Sequence, residues 1–357
     1  MTNRKILASV LVILLLLTSC SCKEQETTAT VSSTSRLEIH YLDVGHADAA
    51  LIICDGMAMM IDGGNAEDSS LIYAYLESKG ISHLNYMICT HPHEDHVGGL
   101  IGALHYATVD TVYCSAETAD THVFTKFSDH LAAMEKEISV PSHGDTFLLG
   151  GAVVTFLGPI SPAEDINNMS LVLRIEHGSN SFLFTGDAGH DEEAQILDAG
   201  YDVSCDVLKV GHHGIHDSSS SKWLWEVRPD YAVISVGADN DGGFPSDSVL
   251  YALEKLNSQV FRTDLQGNII CISDGQNISF STEKEFSSDP VLNEINPATI
   301  PPAVDSITFI CNTSSFIFHD PLCPSVEEMA KKNSLEVTLT QEELIAMGYS
   351  PCGYCSP

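Results

Sequence analysis

The stretch CTHPHEDHVGGL, Cys89 to Leu100, narrows the possible folds more than any other part of the chain. It follows an apolar run, LNYMI, that reads as a buried strand, and it sets three histidines, a glutamate and an aspartate within six residues. In a turn leaving such a strand, His91 and His93 point one way while Asp95 and His96 point to a neighbouring position. Those imidazole and carboxylate donors suit zinc or a similar transition metal. The glycines at 98 and 99 let the next helix begin close to the site. Glu94 has no place in that set and reads as a solvent-facing residue.

The rest of the chain supplies a scaffold for such a turn. From Arg36, the strands RLEIHYLDV, AALIICD and MAMMIDGG lead to a helix, SSLIYAYLESKG, with a serine start and a glycine stop. After LNYMICT come a helix opening near His96, the strand VDTVYC and a helix around VFTKFSDHLAAMEKE. The second half continues with AVVTFLG, SLVLRIEHG, SFLFTGD, the helix DEEAQILDAG, CDVLKVGHHG, YAVISVG, the helix SDSVLYALEKLN and a segment, FRTDLQGNIICISD, that reads as a hairpin. Strands in blocks with helices between them predict an α/β or α+β layered sandwich over residues 36–282, two mixed sheets with outer helices. Four prolines between Glu283 and Asp305 mark an extended linker over 283–305. Residues 306–357 then form a candidate second domain.

At the N-terminus, Arg4 and Lys5 precede ILASVLVILLLL, an apolar run of signal-peptide length. It ends in LTSC, which resembles the lipobox of bacterial lipoproteins and implies a lipid on Cys20. Residues 1–22 are thus expected to be a lipoprotein signal peptide and the polar residues 23–35 a flexible tether. The expected address is the extracytoplasmic face of a cell membrane. Sixteen Lys and Arg stand against 49 Asp and Glu, a formal net charge of −33. Such a field repels polyanions, so no basic nucleic-acid-binding surface is expected. Of the eleven cysteines, Cys54, Cys89, Cys114, Cys205, Cys271 and Cys311 are dispersed, mostly within apolar runs, and read as buried small hydrophobes rather than a disulfide framework.

The C-terminal segment has its own pattern. FHDPLCPSVEEM and GYSPCGYCSP align His319 and Cys323 with Cys352 and Cys355, two close pairs of soft ligands in a piece too small for a sizeable core. That arrangement predicts one structural zinc. The segment also resembles the metal-binding module of the Ada repair protein, with histidine in place of its first cysteine. The acidic residues Glu327, Glu328, Glu336, Glu342 and Glu343 argue against tight DNA binding and for a structural or docking role.

THPHEDHVGG resembles the HxHxDH signature of the metallo-β-lactamase-fold hydrolases, which implies an αββα sandwich with a one- or two-metal site at its rim. DVGHADAALI, IDGG, FTGD and LKVGHHG match further motifs in the same order. Together with NNMSLVLRI and SVGADN they resemble the hydrolase domain of ComEC-type competence proteins. The resemblance implies two Zn (or Mn) ions: His91 and His93 for one, Asp95 and His96 for the other, Asp187 as a bridge, and a histidine of VGHHG closing the second site. His212 is the expected ligand, being first after the strand. Asn168 and Ser170 stand where many relatives carry another histidine, which implies an open sphere at the first metal. Asp95 or Asp187 orients the attacking water, while Lys209 or His213 steadies an anionic substrate or protonates the leaving group.

The chain also departs from the family, with His46 and Ala47 in place of the residues of DVGQGD, Ile215 after HHG, and Phe244 in GFP where relatives often have GHP. The expected function is an exported, membrane-tethered metal-dependent hydrolase acting on a phosphodiester, with DNA among the candidates. The alternatives are hydrolysis of a small or cell-wall phosphodiester or other ester, and a non-catalytic binding lipoprotein that keeps the fold.

Overall fold

The computed structural model describes residues 35–284, except 239 and 241, and residues 307–352, except 316, 320, 322, 328, 340–343 and 345–348. The signal segment 1–22 with Cys20, nearly all of the tether 23–35, most of the linker 283–305, and Cys355 lie outside the described residues.

Fifteen of the described strands build two facing sheets. In chain order they are β1 (Leu37–Tyr41), β2 (Ala49–Cys54), β3 (Met57–Gly63), β4 (His83–Cys89), β5 (Thr108–Cys114), β6 (Ile138–Ser139), β7 (Thr146–Leu149), β8 (Ala152–Gly158), β9 (Val172–His177), β10 (Asn180–Phe184), β11 (Val207–Lys209), β12 (Tyr231–Ile234), β13 (Gln259–Arg262), β14 (Ile269–Ser273) and β15 (Ile278–Thr282). One sheet runs β15-β14-β1-β2-β3-β4-β5-β6, and the other β13-β12-β11-β10-β9-β8-β7.

Both sheets are mixed. β1, β2 and β3 pair antiparallel in chain order, whereas β3, β4 and β5 pair parallel. Each parallel step needs a crossover, and the helices Ser69–Lys79 and Leu100–Tyr106 supply the two. In the second sheet β10, β11, β12 and β13 are parallel, linked by helices at His190–Asp198, Ser221–Val227 and Asp247–Lys255. Apolar side chains sort into three layers accordingly. Ile39, Ile52, Phe156 and Phe182 belong to the core between the sheets. Ile72, Leu76 and Phe127 pack the helices of the first sheet against its outer face, and Ile196, Trp223 and Leu253 do so for the second. The result is the four-layered αββα sandwich the sequence implied. Phe182 is fully buried, so Phe182→Ala is expected to cost about 3–5 kcal/mol.

The segment read as a hairpin is a crossover. β13 is the edge of the second sheet, while β14 pairs with β1 in the first. The switch is made by a helical turn, Thr263–Gln266. There the buried Thr263 hydroxyl accepts from the Val236 amide and donates to the Val236 carbonyl, pinning the turn to the end of the second sheet. The dispersed cysteines Cys54, Cys89, Cys114, Cys205, Cys271 and Cys311 are free and buried.

Strands Ile307–Asn312, Ile317–His319, Ser334–Leu339 and Ser350–Pro351 form a separate four-stranded sheet. Its described core is small: Phe309, Cys311, Phe318 and Leu344.

Candidate metal centre

Loops following the carboxyl ends of β3, β4, β10 and β11 meet at one rim, the edge where open α/β sheets bind ligands. At the end of β4 the chain leaves the sheet through Thr90, and His93, extended at φ −70° and ψ 152°, caps the short helix Glu94–Val97. The His96 and Val97 amides donate to the His93 carbonyl, so Asp95 and His96 project from the first turn. Gly98 and Gly99 allow this turn to sit against the IDGG turn, because a Cβ at either would collide with the Ala66 amide or the Gly63 carbonyl. Glu94 is exposed, as expected.

Five of the six expected ligands converge. His91 Nε2 lies 2.9 Å from His93 Nδ1 and 3.8 Å from Asp187 Oδ2. His96 Nε2 lies 3.2 Å from the same Asp187 oxygen and 3.7 Å from Asp95 Oδ2. The side chains of Asp95, His96, Asp187 and His213 each offer a ligand atom within 4.8 Å of the others. Asp187 therefore stands between the His91–His93 pair and the Asp95–His96 pair.

The histidine that joins this group is His213, where His212 was expected. His213 Nε2 is 3.3 Å from Asp95 Oδ2, while Nδ1 lies 3.0 Å from the Ser235 carbonyl. An Nδ1–H donated to that carbonyl leaves Nε2 as the free donor atom. The reversal comes from the backbone: His212 and His213 both adopt left-handed conformations, at φ 47° and 53°, and Gly214 follows at φ 83°. Such strain is rare for residues with a side chain. It turns the second ring inward and leaves His212 half-buried at the rim. There Nε2 is 3.6 Å from Asp187 and Nδ1 is 3.3 Å from Asp217.

Lys209 also departs from its expected role. It is buried, with Nζ 2.8 Å from Asp48 Oδ2 and donating to the Val210 carbonyl at 2.9 Å. A lysine committed to a buried carboxylate is part of the scaffold rather than a substrate contact. Ser170 and Asn168, in the place of a further histidine, hold the Asp187 loop: Ser170 Oγ accepts from the Asp187 amide and Asn168 Oδ1 from Gly189.

Two supporting carboxylates were not singled out from sequence. Asp62 accepts from the Thr90 amide and hydroxyl and lies 2.9 Å from His96 Nδ1, so it fixes the tautomer that aims His96 Nε2 at Asp187. Asp48 lies between Lys209 and His213. The available signal was an acid at the end of an otherwise apolar strand run. The departures His46 and Phe244 prove to be neighbours: their rings stack at 5.1 Å, with His46 also against His213 at 4.3 Å.

The electrostatics fit cations. Burial opposes charge on His96, but Asp187 and Asp62 outweigh it and raise its pKa well above the ordinary value. His213 is pushed up to about 10, burial being overcome by Asp187, Asp48 and Asp95. Asp95 is brought down to about 2, with His213 and His96 outweighing its burial. His96 Nε2 and Asp187 Oδ1 are buried without a hydrogen bond. Imidazole nitrogens facing each other and carboxylates needing positive charge would be satisfied together by divalent ions, which would take the place of those protons.

The C-terminal group is of a different kind. His319 Nδ1 lies 3.4 Å from Cys323 Sγ, which lies 4.0 Å from Cys352 Sγ, and all three residues are buried.

Residues 42–238 match the metallo-beta-lactamase superfamily model, and the chain belongs to that superfamily of metal-dependent hydrolases. Within it, the chain is 28% identical over 259 residues to ComE operon protein 3 of Bacillus subtilis, a match covering 66% of this chain and 33% of the relative. It is 33% identical over 242 residues to Recombination protein 2 of Haemophilus influenzae, covering 65% of this chain and 28% of that protein. These agree with the ComEC-type resemblance, and the chain spans about a third of the length of these relatives. Among solved structures, YhfI from Bacillus subtilis aligns at 15% identity and a TM-score of 0.42, over 69% of this chain and all of that one.

Proposed function

We propose that the protein is an exported, membrane-tethered, metal-dependent phosphodiesterase, held at the membrane by a lipid on Cys20. The observation that carries the reading is the convergence of His91, His93, Asp95, His96 and His213 around the single buried carboxylate Asp187. Two divalent cations bound there, Zn or Mn, supply Lewis acidity and lower the pKa of water. His91 and His93 would hold one, Asp95, His96 and His213 the other, and Asp187 both.

The chain's own residues do the rest. Asp62 and the Ser235 carbonyl keep His96 and His213 in one tautomer each, so both present Nε2 without reorganisation. Ser170 fixes the Asp187 backbone. His212, held through Nδ1 by Asp217, can donate its Nε2 proton to the departing alcohol. The oxygen of water ends on phosphorus, the ester P–O bond breaks, and the proton ends on the alcohol. In the C-terminal segment His319, Cys323 and Cys352, with Cys355, would hold one structural zinc.

Purified full-length chain supplied with Zn or Mn is expected to hydrolyse bis(p-nitrophenyl) phosphate, and His91→Ala to abolish it. Equal rates for the two proteins, on this ester and on single-stranded DNA, would overturn the reading.

A further inference from the structure

Beside Asp187 the rim opens into a cleft of about 230 Å³. Its floor is Asp187, which is 2% exposed and whose Oδ1 makes no hydrogen bond. Asn168 and His212 line its walls, and Asp165, Asp191 and Asp217 its outer part. These three carboxylates come from the loop before β9, the start of helix His190–Asp198 and the loop after GHHG, so the fold brings them together from three separate stretches. Among the described residues no lysine or arginine lines the cleft, and its basic side chains are the imidazoles of His190 and His212. Asp217 is engaged by His212, and Asp165 accepts only from the local Asn167 amide among the described hydrogen bonds.

A site for phosphodiesters faces a particular problem here. The diester brings one negative charge, which the cations and histidines can meet. Any neighbouring phosphate of a polymer would lie among carboxylates in a chain of net charge −33. An arm that carries positive charge meets no such cost. The cleft is also smaller than the roughly 300–1,000 Å³ of sites that enclose drug-sized ligands, which suits a compact head group rather than a nucleoside.

We propose that this cleft receives an ammonium-bearing arm of the substrate, and that the preferred substrates are small phosphodiesters of amino alcohols. The inference rests on the phosphodiesterase reading and specifies its substrate class. Water adds its oxygen to phosphorus as one P–O ester bond breaks, the proton passes to the released alcohol, and the ammonium is unchanged.

The test is calorimetric binding of phosphocholine and of its uncharged isostere, 3,3-dimethylbutyl phosphate, to the zinc-loaded full chain. Phosphocholine is expected to bind about tenfold tighter at low ionic strength, the advantage shrinking as salt rises. In Asp165→Asn/Asp191→Asn the advantage is expected to fall to about twofold or less, while the isostere binds as to wild type and so reports an intact fold. Equal binding of the two ligands by wild type, or a preference that the double variant keeps in full, would overturn the proposal. Turnover of bis(p-nitrophenyl) phosphate in the same preparations separates the two claims. A preference without turnover removes the phosphodiesterase reading and leaves the cleft's chemistry standing, and turnover without a preference removes only the proposal made here.

Discussion

The two candidate metal groups of this chain draw on different donors and on different amounts of fold. The rim group uses imidazoles and carboxylates from distant loops, His213 reaching Asp95 across 118 positions of sequence. The C-terminal group uses an imidazole and thiols, its cysteines 29 positions apart. Behind the rim stand three packed apolar layers, and His91, His96 and His213 are each held by a second partner, Ser170, Asp62 and the Ser235 carbonyl. Behind His319, Cys323 and Cys352 the described core is four residues. An open group with a preorganised scaffold suits chemistry, because the fold holds the ligands whether or not a cation is present. A soft group with little core suits structure, because a metal bound there would supply what the core does not.

The largest contrast is expected from Asp187→Ala. It should lower phosphodiester turnover by about a thousandfold or more, while hydrogen exchange of the two large sheets stays as in wild type. Loss of protection throughout those sheets would mean that the rim, like the C-terminal group, depends on its ions to fold.

Next in size is the buried pair within the rim's scaffold. Lys209→Met leaves Asp48 ionised without its cation and is expected to cost about 3–5 kcal/mol in denaturant unfolding, and Asp48→Asn added to it should recover much of that loss. A substrate-binding lysine would instead raise KM with little change in stability.

The two adjacent histidines should separate more gently. His213→Ala is expected to lose the second ion at concentrations that saturate wild type, as read by metal analysis. His212→Ala should keep both ions and lose about a hundredfold in kcat. The reverse result would restore His212 as the ligand.

The smallest effect concerns Glu192, fully buried, with one oxygen accepting from Ile160 and the other unpartnered. Burial pushes its carboxyl up to about 7. Its folded state therefore binds a proton more tightly than the unfolded chain, a contribution fully present below about pH 4.5 and lost as pH rises through 7. Glu192→Gln should remove that fall, narrowing the drop in stability between pH 5 and pH 8 by on the order of 1 kcal/mol. Parallel melting curves for the two proteins would place the pH dependence elsewhere.

The ligands at the rim were legible because histidine and aspartate are conspicuous at the mouths of apolar strands, and HPHEDH, TGD and GHHG each carry that contrast. The choice between His212 and His213 was not, since it depends on two successive left-handed residues that no periodicity reveals. Asp48 and Asp62 belong to no ligand spacing in the sequence, and only the fold sets them beside His213 and His96. Lys209 read as a substrate contact because its partner, Asp48, lies far away in the sequence, in the loop before β2. The alternation of strands and helices gave the layers. It could not show that Thr263 to Gln266 carries the chain from one sheet to the other, because a tight crossover and a hairpin leave the same local pattern.

The rim is expected to hold two ions and the C-terminal segment one, each independently of the other. Metal stoichiometry of the wild-type protein beside Asp187→Ala and Cys352→Ala tests it most directly. Three ions per chain are predicted, with Asp187→Ala keeping the C-terminal zinc and Cys352→Ala keeping the rim pair. A single ion in the wild type, lost in Cys352→Ala and untouched in Asp187→Ala, would contradict it.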